Sequence, residues 1–151
     1  NNNLLELPEE LYNLKNLEIL NISYNKIKNL SEKISNLNKL KELSASGNKL
    51  KILPKNINKL KKLNTIYLAD NKFKEFPKEL CSLVNLKKID LSFNKVKKLP
   101  KNITNIKKLE MLDISNWYRV LFYKSFCSQY KAYLYLNLKN ILKKIIFKYI
   151  L

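Results

Sequence analysis

Four asparagines recur in this chain at a fixed interval of 23 residues, at Asn25, Asn48, Asn71 and Asn94. Each belongs to an eleven-residue segment of the form LxxLxLxxNxL, where L stands for any apolar residue, and the clearest copy is 86–96. One such unit is too small to bury its own apolar face, so it must stack on its neighbours. A fixed period of this kind therefore predicts a solenoid of stacked repeats.

The second half of each period repeats as well. An apolar residue is followed by proline or serine, and further apolar residues come four and seven positions after the first, as in Leu53-Pro54, Ile57 and Leu60. All four prolines of the chain fall in one column of the alignment: Pro8, Pro54, Pro77 and Pro100. Proline is tolerated in the first turn of a helix, so this half predicts a short helical or 3₁₀ turn.

These two patterns together resemble the 23-residue, Leu-Pro-containing class of intracellular leucine-rich repeat proteins, which includes Ras-pathway scaffolds. The resemblance covers about residues 2–116 and concerns repeat type only, so it implies no particular partner. It implies an α/β fold: a right-handed horseshoe solenoid with short parallel strands on the concave face and helical or 3₁₀ turns on the convex face. We expect about four complete repeats, five strands and a C-terminal helical tail.

Within each repeat the strand is expected at xLxLx, so that Leu20 and Ile22 point inward while Ile19, Asn21 and Ser23 point outward. The recurring asparagine is expected to form a buried structural ladder. Its side-chain amide can satisfy backbone groups of the turn that would otherwise be buried without partners.

The array is expected to occupy 1–116 and to begin inside a repeat, since Asn2 lies 23 residues before Asn25. We therefore expect a truncated N-terminus, which leaves a signal peptide or upstream domain open. Trp117 stands where the fifth asparagine belongs, so 117–151 is expected to be a separate aromatic, basic cap or tail.

Apolar residues of this tail recur at helical spacing over 138–150, with lysines largely on the opposite side. The helix could cover the open end of the stack or lie on an anionic membrane as a peripheral contact. An AT-rich stretch wrongly read as coding would have the same composition, and all three interpretations stay open.

Composition argues against catalysis. The chain has no histidine and a single glycine, Gly47, which excludes Ser-His and Cys-His nucleophile pairs and glycine-rich phosphate loops. Cys81 and Cys127 show neither a disulfide framework nor zinc-ligand spacing. We expect a non-enzyme without cofactor or metal, a monomer in the reducing cytoplasm.

The formal net charge is +18, with 30 Lys+Arg against 12 Asp+Glu. Such a balance favours nucleic acid, a membrane surface or an acidic partner, although AT-rich codons supply the same residues. Eight lysines stand one and three positions after the four ladder asparagines and form two columns along one edge of the array. This edge is either simply solvated or a site that binds anions. Nucleic acid is not expected, because this edge lacks aromatic and arginine side chains for stacking. The columns are Lys26, Lys49, Lys72 and Lys95, and Lys28, Lys51, Lys74 and Lys97.

The fifteen outward strand positions, three in each of the five predicted strands, do not share this excess of basic residues. Lys88 against Glu42, Asp90 and Asp113 gives them a net charge of −2, which indicates either a binding surface or a steric preference for small residues. Binding energy concentrates in a few aromatic anchors, and carboxylates suit a basic partner segment. We therefore predict a protein-binding concave face centred on six residues: Tyr67, Phe93, Asp90, Asp113, Tyr24 and Asp70.

The main hypothesis is thus a non-catalytic scaffold or regulatory module whose concave sheet binds a protein or peptide. The alternatives are an electrostatic membrane or polyanion binder that uses the lysine columns and the tail, and a regulatory fragment of a larger enzyme.

Overall fold

A computed structural model describes residues 2–115 of the 151-residue chain. The proposed boundary between 116 and 117, the predicted cap or tail at 117–151 and its helix at 138–150 lie outside the described residues.

Short strands alternate with 3₁₀ helices along the described chain. The strands are β1 (Ile19–Asn21), β2 (Glu42–Ser44), β3 (Thr65–Tyr67), β4 (Lys88–Asp90) and β5 (Met111–Asp113), and they form one parallel sheet in sequence order. The 3₁₀ helices are Glu9–Asn13, Glu32–Asn36, Lys55–Lys59, Lys78–Ser82 and Lys101–Asn105. This arrangement confirms the predicted repeat solenoid of five parallel strands.

The register of the sheet follows the sequence period. Residues 23 apart are paired at every step, so the central strand residues Leu20, Leu43, Ile66, Ile89 and Leu112 form one buried row across all five strands. A slip of one residue would turn this row toward solvent, so burial of these side chains fixes the register.

Each strand is three residues long and therefore shorter than the predicted xLxLx. Contact between repeats nevertheless continues past the strand, because the amide of Leu68 donates to the carbonyl of Asp90 at 2.7 Å and that of Leu91 donates to Asp113 at the same distance. The second inward residue of the pattern is therefore still held to the next repeat.

The core consists of the apolar columns. Of the 28 apolar positions in the four periods that start at Leu17, 26 are buried, and the other two, Leu17 and Val96, are partly buried against the core. The apolar period thus predicts the interior of the described chain almost completely.

The proline column lies directly before the 3₁₀ helices. Pro54 and Pro77 each have φ −64°, the value to which the proline ring is restricted, and Ser31 adopts φ −66° at the equivalent place in its repeat. Ser31 adds a cap, because its hydroxyl accepts a hydrogen bond from the amide of Lys33 at 3.2 Å. Proline therefore presets the backbone from which four of the five described helices start.

The ladder asparagines join each repeat to the one before it. The Asn71 carboxamide donates to the carbonyls of Ala45 (2.9 Å) and Leu68 (3.1 Å), and its oxygen accepts the amide of Leu50 at 2.9 Å. Asn48 and Asn94 repeat this pattern and are also buried. Each asparagine thereby satisfies backbone groups of two consecutive repeats.

Replacing Asn71 with alanine should destabilise the protein by ~2–4 kcal/mol, because it leaves buried carbonyls and the buried Leu50 amide without partners. The measurement is the free energy of unfolding in urea. Lys72→Ala is the matched control, since that side chain is exposed and the change should be nearly silent. Equal costs for the two changes would contradict the structural role assigned to the ladder.

Candidate functional site

The concave face carries a row of side chains two positions after the start of each strand. The register pairs Ser44 with Tyr67, Tyr67 with Asp90, and Asp90 with Asp113, and it continues to Asn21 on β1. We call these five residues the concave row. Tyr67 lies at its centre and the two carboxylates lie side by side at one end, as neighbours on adjacent strands.

Two of the predicted outward positions are buried, contrary to expectation. Thr65 is flanked in register by the longer side chains of Glu42 and Lys88, and its hydroxyl hydrogen-bonds to the Asn64 side chain at 2.8 Å. Ser92 is also buried, and the Asp90 carboxylate accepts its backbone amide at 2.9 Å. An outward-pointing small residue can thus be buried on this face.

The carboxylates of the concave row also have a structural task that the sequence did not reveal. Asp90 and Asp113 each accept the amide two residues further on, at 2.9 and 2.8 Å. Asn21 makes the same contact to the Ser23 amide at 3.0 Å. An amide side chain therefore serves this turn as well as a carboxylate does, and the negative charge at 90 and 113 is not required by the fold.

A second column lies one position before each ladder asparagine, and we call it the turn column. Its four members all adopt a left-handed backbone, with φ of 57°, 65°, 49° and 56° for Tyr24, Gly47, Asp70 and Phe93. Their amides donate across the stack, for example from Gly47 to the Ala69 carbonyl at 2.9 Å. The repeat turn requires this conformation, which glycine adopts freely and a bulky residue adopts at a cost of ~1 kcal/mol.

Gly47, which the sequence did not assign to the site, positions Tyr24. A Cβ atom placed on Gly47 would stand 2.6 Å from Cδ1 of Tyr24 and 3.1 Å from Cε1. The tyrosine ring therefore lies against the space that a side chain at 47 would fill. The sequence signal for this role is the position of the chain's single glycine, directly before a ladder asparagine. The contact with Tyr24 cannot be predicted from that position, because it depends on how two repeats stack.

The two tyrosines line a shallow concavity of about 460 Å³ at the β1–β3 end of the sheet. Its eight lining residues carry no charge, although the chain as a whole is strongly basic. Phe93, Asp70, Asp90 and Asp113 lie outside this lining, so only two of the six predicted site residues line it. The lining residues are Asn2, Asn21, Ser23, Tyr24, Asn25, Ser44, Ser46 and Tyr67.

The other predicted residues are located as follows. Asp90 adjoins Tyr67 in register and is half-buried, whereas Phe93 and Asp70 are exposed in the turn column. Asn25 is partly buried at the first step of the ladder, where its oxygen accepts the Leu4 amide at 3.1 Å. All eight predicted edge lysines are exposed, and we call this set the lysine edge: Lys26, Lys28, Lys49, Lys51, Lys72, Lys74, Lys95 and Lys97.

Cys81 lies in the core and not on the concave face. Burial raises the pKa of the Cys81 thiol to about 11, so that at neutral pH it is a protonated core residue. Within 2–115, His, Cys, Asp and Glu form no group able to hold a metal ion. No helix of the described part is long and apolar enough to span a membrane.

The fold of the described residues is a solenoid of stacked repeats with one five-stranded parallel sheet. The family described as "Leucine-rich repeat region" matches residues 1–98 and 32–129. The chain therefore belongs to the leucine-rich repeat family. Domains of this family generally mediate protein–protein interaction and are typically non-catalytic. Among curated protein sequences, none matches this chain significantly.

Solved structures with the same fold come from bacteria and plants. A leucine-rich repeat protein of Leptospira interrogans is 33% identical (TM-score 0.59), and the match covers 76% of this chain and 35% of that one. Internalin C2 of Listeria monocytogenes is 26% identical (TM-score 0.65), with coverage of 73% and 47%.

The ectodomain of the membrane receptor kinase GASSHO1/SCHENGEN3 from Arabidopsis thaliana, solved in complex with CASPARIAN STRIP INTEGRITY FACTOR 2, is 29% identical (TM-score 0.64). That match covers 74% of this chain and 14% of the ectodomain. The chain thus matches less than half the length of each of these three structures.

Gly47→Asn should destabilise the protein by ~1–2 kcal/mol through its contact with Tyr24 rather than through the backbone. Asparagine tolerates positive φ, so the turn itself accepts it. The measurement is a double-mutant cycle of urea unfolding with Tyr24→Ala, in which removal of the ring should relieve most of the cost. The same cost in both backgrounds would show that the ring does not set the requirement for glycine.

Proposed function

We propose that the concave sheet binds a protein or peptide without catalysing a reaction, and that the Tyr24–Tyr67 concavity is the centre of the site. The observation that carries this proposal is the uncharged lining of the concavity in a chain of net charge +18. Tyrosine offers large, rigid contact area at low entropic cost, while serine and asparagine offer adaptable hydrogen bonds. A lining of these three residue types suits recognition of a polypeptide.

The strained turn column supports a binding role for its aromatic members. Tyr24 is 62% exposed and Phe93 is 42% exposed, and both adopt a left-handed backbone that glycine or asparagine would adopt with less strain. Neither exposure nor strain stabilises the fold. An aromatic side chain that contacts a partner would account for both residues.

The two ends of the concave row differ in charge. Asn21, Ser44 and Tyr67 are uncharged, whereas Asp90 and Asp113 place two carboxylates at the β4–β5 end. Five strands about 4.8 Å apart give a row of about 19 Å, the length of roughly six extended residues. We therefore expect the partner to present an uncharged segment to β1–β3 and a basic residue to the carboxylates.

The test uses a random peptide library displayed on phage and selected against the full 151-residue chain. Peptides that are enriched should weaken by about 30-fold or more for Tyr67→Ala, the size of an anchor residue's contribution. Affinity is measured by isothermal titration calorimetry. Failure to enrich any peptide, or unchanged affinity for Tyr67→Ala, would refute the proposed site.

Two variants separate charge from fold in the same titrations. Asp90→Asn keeps the acceptor for the Ser92 amide, as Asn21 does in its own repeat, and removes only the charge. It should weaken peptides that carry a basic residue and leave neutral peptides unaffected. A triple Lys49/Lys72/Lys95→Ala variant should bind these peptides normally, and a larger loss there than for Tyr67→Ala would shift the site to the lysine edge.

A further inference from the structure

The lysine edge is held at a fixed spacing by the backbone. The amides of Lys49, Lys72 and Lys95 donate to the carbonyls of the preceding repeat, at 2.9, 2.8 and 2.8 Å, and Lys26 does the same to Leu4 at 2.9 Å. Successive lysines of this column therefore follow the strand spacing of about 4.8 Å.

The second column of the lysine edge lies beside the first on the same surface. Between the two lysines of each repeat stands a core residue: Ile27, Leu50 and Phe73 are buried and Val96 is partly buried. Where one residue of an extended segment points inward, its two neighbours point outward. The eight ammonium groups thus rise from a grid of about 7 by 15 Å.

None of these eight charges is neutralised within the described chain. Its three ion pairs use other lysines, Lys33 with Glu9, Lys41 with Glu18, and Lys87 with Glu110. Eight unpaired like charges at this spacing repel one another and attract counterions. A ligand that brings several anionic groups at once would displace those counterions and gain their entropy of release.

We propose that the lysine edge is a second binding site, separate from the concave face, for a linear polyphosphate recognised by charge alone. A four-repeat column of lysines suits an anion that is itself a chain, because a flexible run of closely spaced phosphates can bring negative charge to every repeat along the column. Lysine binds phosphate as a point charge and demands no fixed geometry.

Two other anionic partners fit the edge less well. Single-stranded nucleic acid is usually bound with aromatic side chains for base stacking, whereas the grid itself has none and only two of the four repeats place an exposed ring beside it, at Tyr24 and Phe93. A membrane-bound surface adds apolar side chains that enter the lipid, whereas the residues between these lysines are buried or, at Val96, partly buried in the core. Charge density without stacking or insertion favours the polyphosphate chain.

The test compares two variants of equal net charge in the full-length protein. One carries Lys26, Lys49, Lys72 and Lys95→Gln. The control carries glutamine at four exposed lysines outside the edge and outside the three ion pairs, namely Lys59, Lys78, Lys101 and Lys107. Binding of fluorescent inorganic polyphosphate is measured by anisotropy over a series of NaCl concentrations, and thermal melting verifies that both variants fold.

The edge variant should lose about tenfold or more in affinity and show a shallower salt dependence, while the control changes by less than about threefold. Equal losses in both variants would refute the site and assign binding to the overall charge. Tighter binding of a dT oligonucleotide of equal charge number would favour nucleic acid instead. Binding to phosphatidylserine vesicles without binding to polyphosphate would favour a membrane, and either result would overturn the proposal.

Discussion

The side-chain hydrogen bonds of the ladder asparagines are the interaction on which the rest of the structure depends. Each strand has only three residues, so strand pairing joins neighbouring repeats over a short distance. The buried carboxamides of Asn48, Asn71 and Asn94 extend the connection between repeats into the turns, where they satisfy donors and acceptors of two repeats at once. With the turns tied in this way, the apolar columns can close into one continuous core.

The same constraint explains why the two proposed binding surfaces stand in columns. A constant period means that equivalent residues of successive repeats must be neighbours, so whatever one position carries becomes a line on the surface. The concave row and the lysine edge are two such lines with opposite character. One is neutral or acidic and close to the sheet, and the other is basic and follows the turns. One repeat array can therefore present two chemically different surfaces.

Much of the fold followed from the sequence because the period encodes it directly. The register, the buried row through Ile66 and the position of the 3₁₀ helices all depend on spacing alone. Contacts made by individual side chains did not follow. The packing of Tyr24 on Gly47 and the hydrogen bond from the Ser92 amide to Asp90 depend on side-chain orientation, which spacing does not determine. Accordingly, Tyr67 and Tyr24 were identified as candidates, but the concavity that they share was not.

The register of the concave row also determines how such a surface can change. Each strand contributes one residue to the row, and its neighbours are fixed by backbone bonds that do not involve that side chain. A substitution at one row position therefore changes one side chain and leaves its neighbours in the row, about 4.8 Å away, in place. Exchanging the positions of two repeats would likewise move a charged or aromatic side chain along the row in steps of about 4.8 Å. In the proposed site, selectivity would therefore change one repeat at a time.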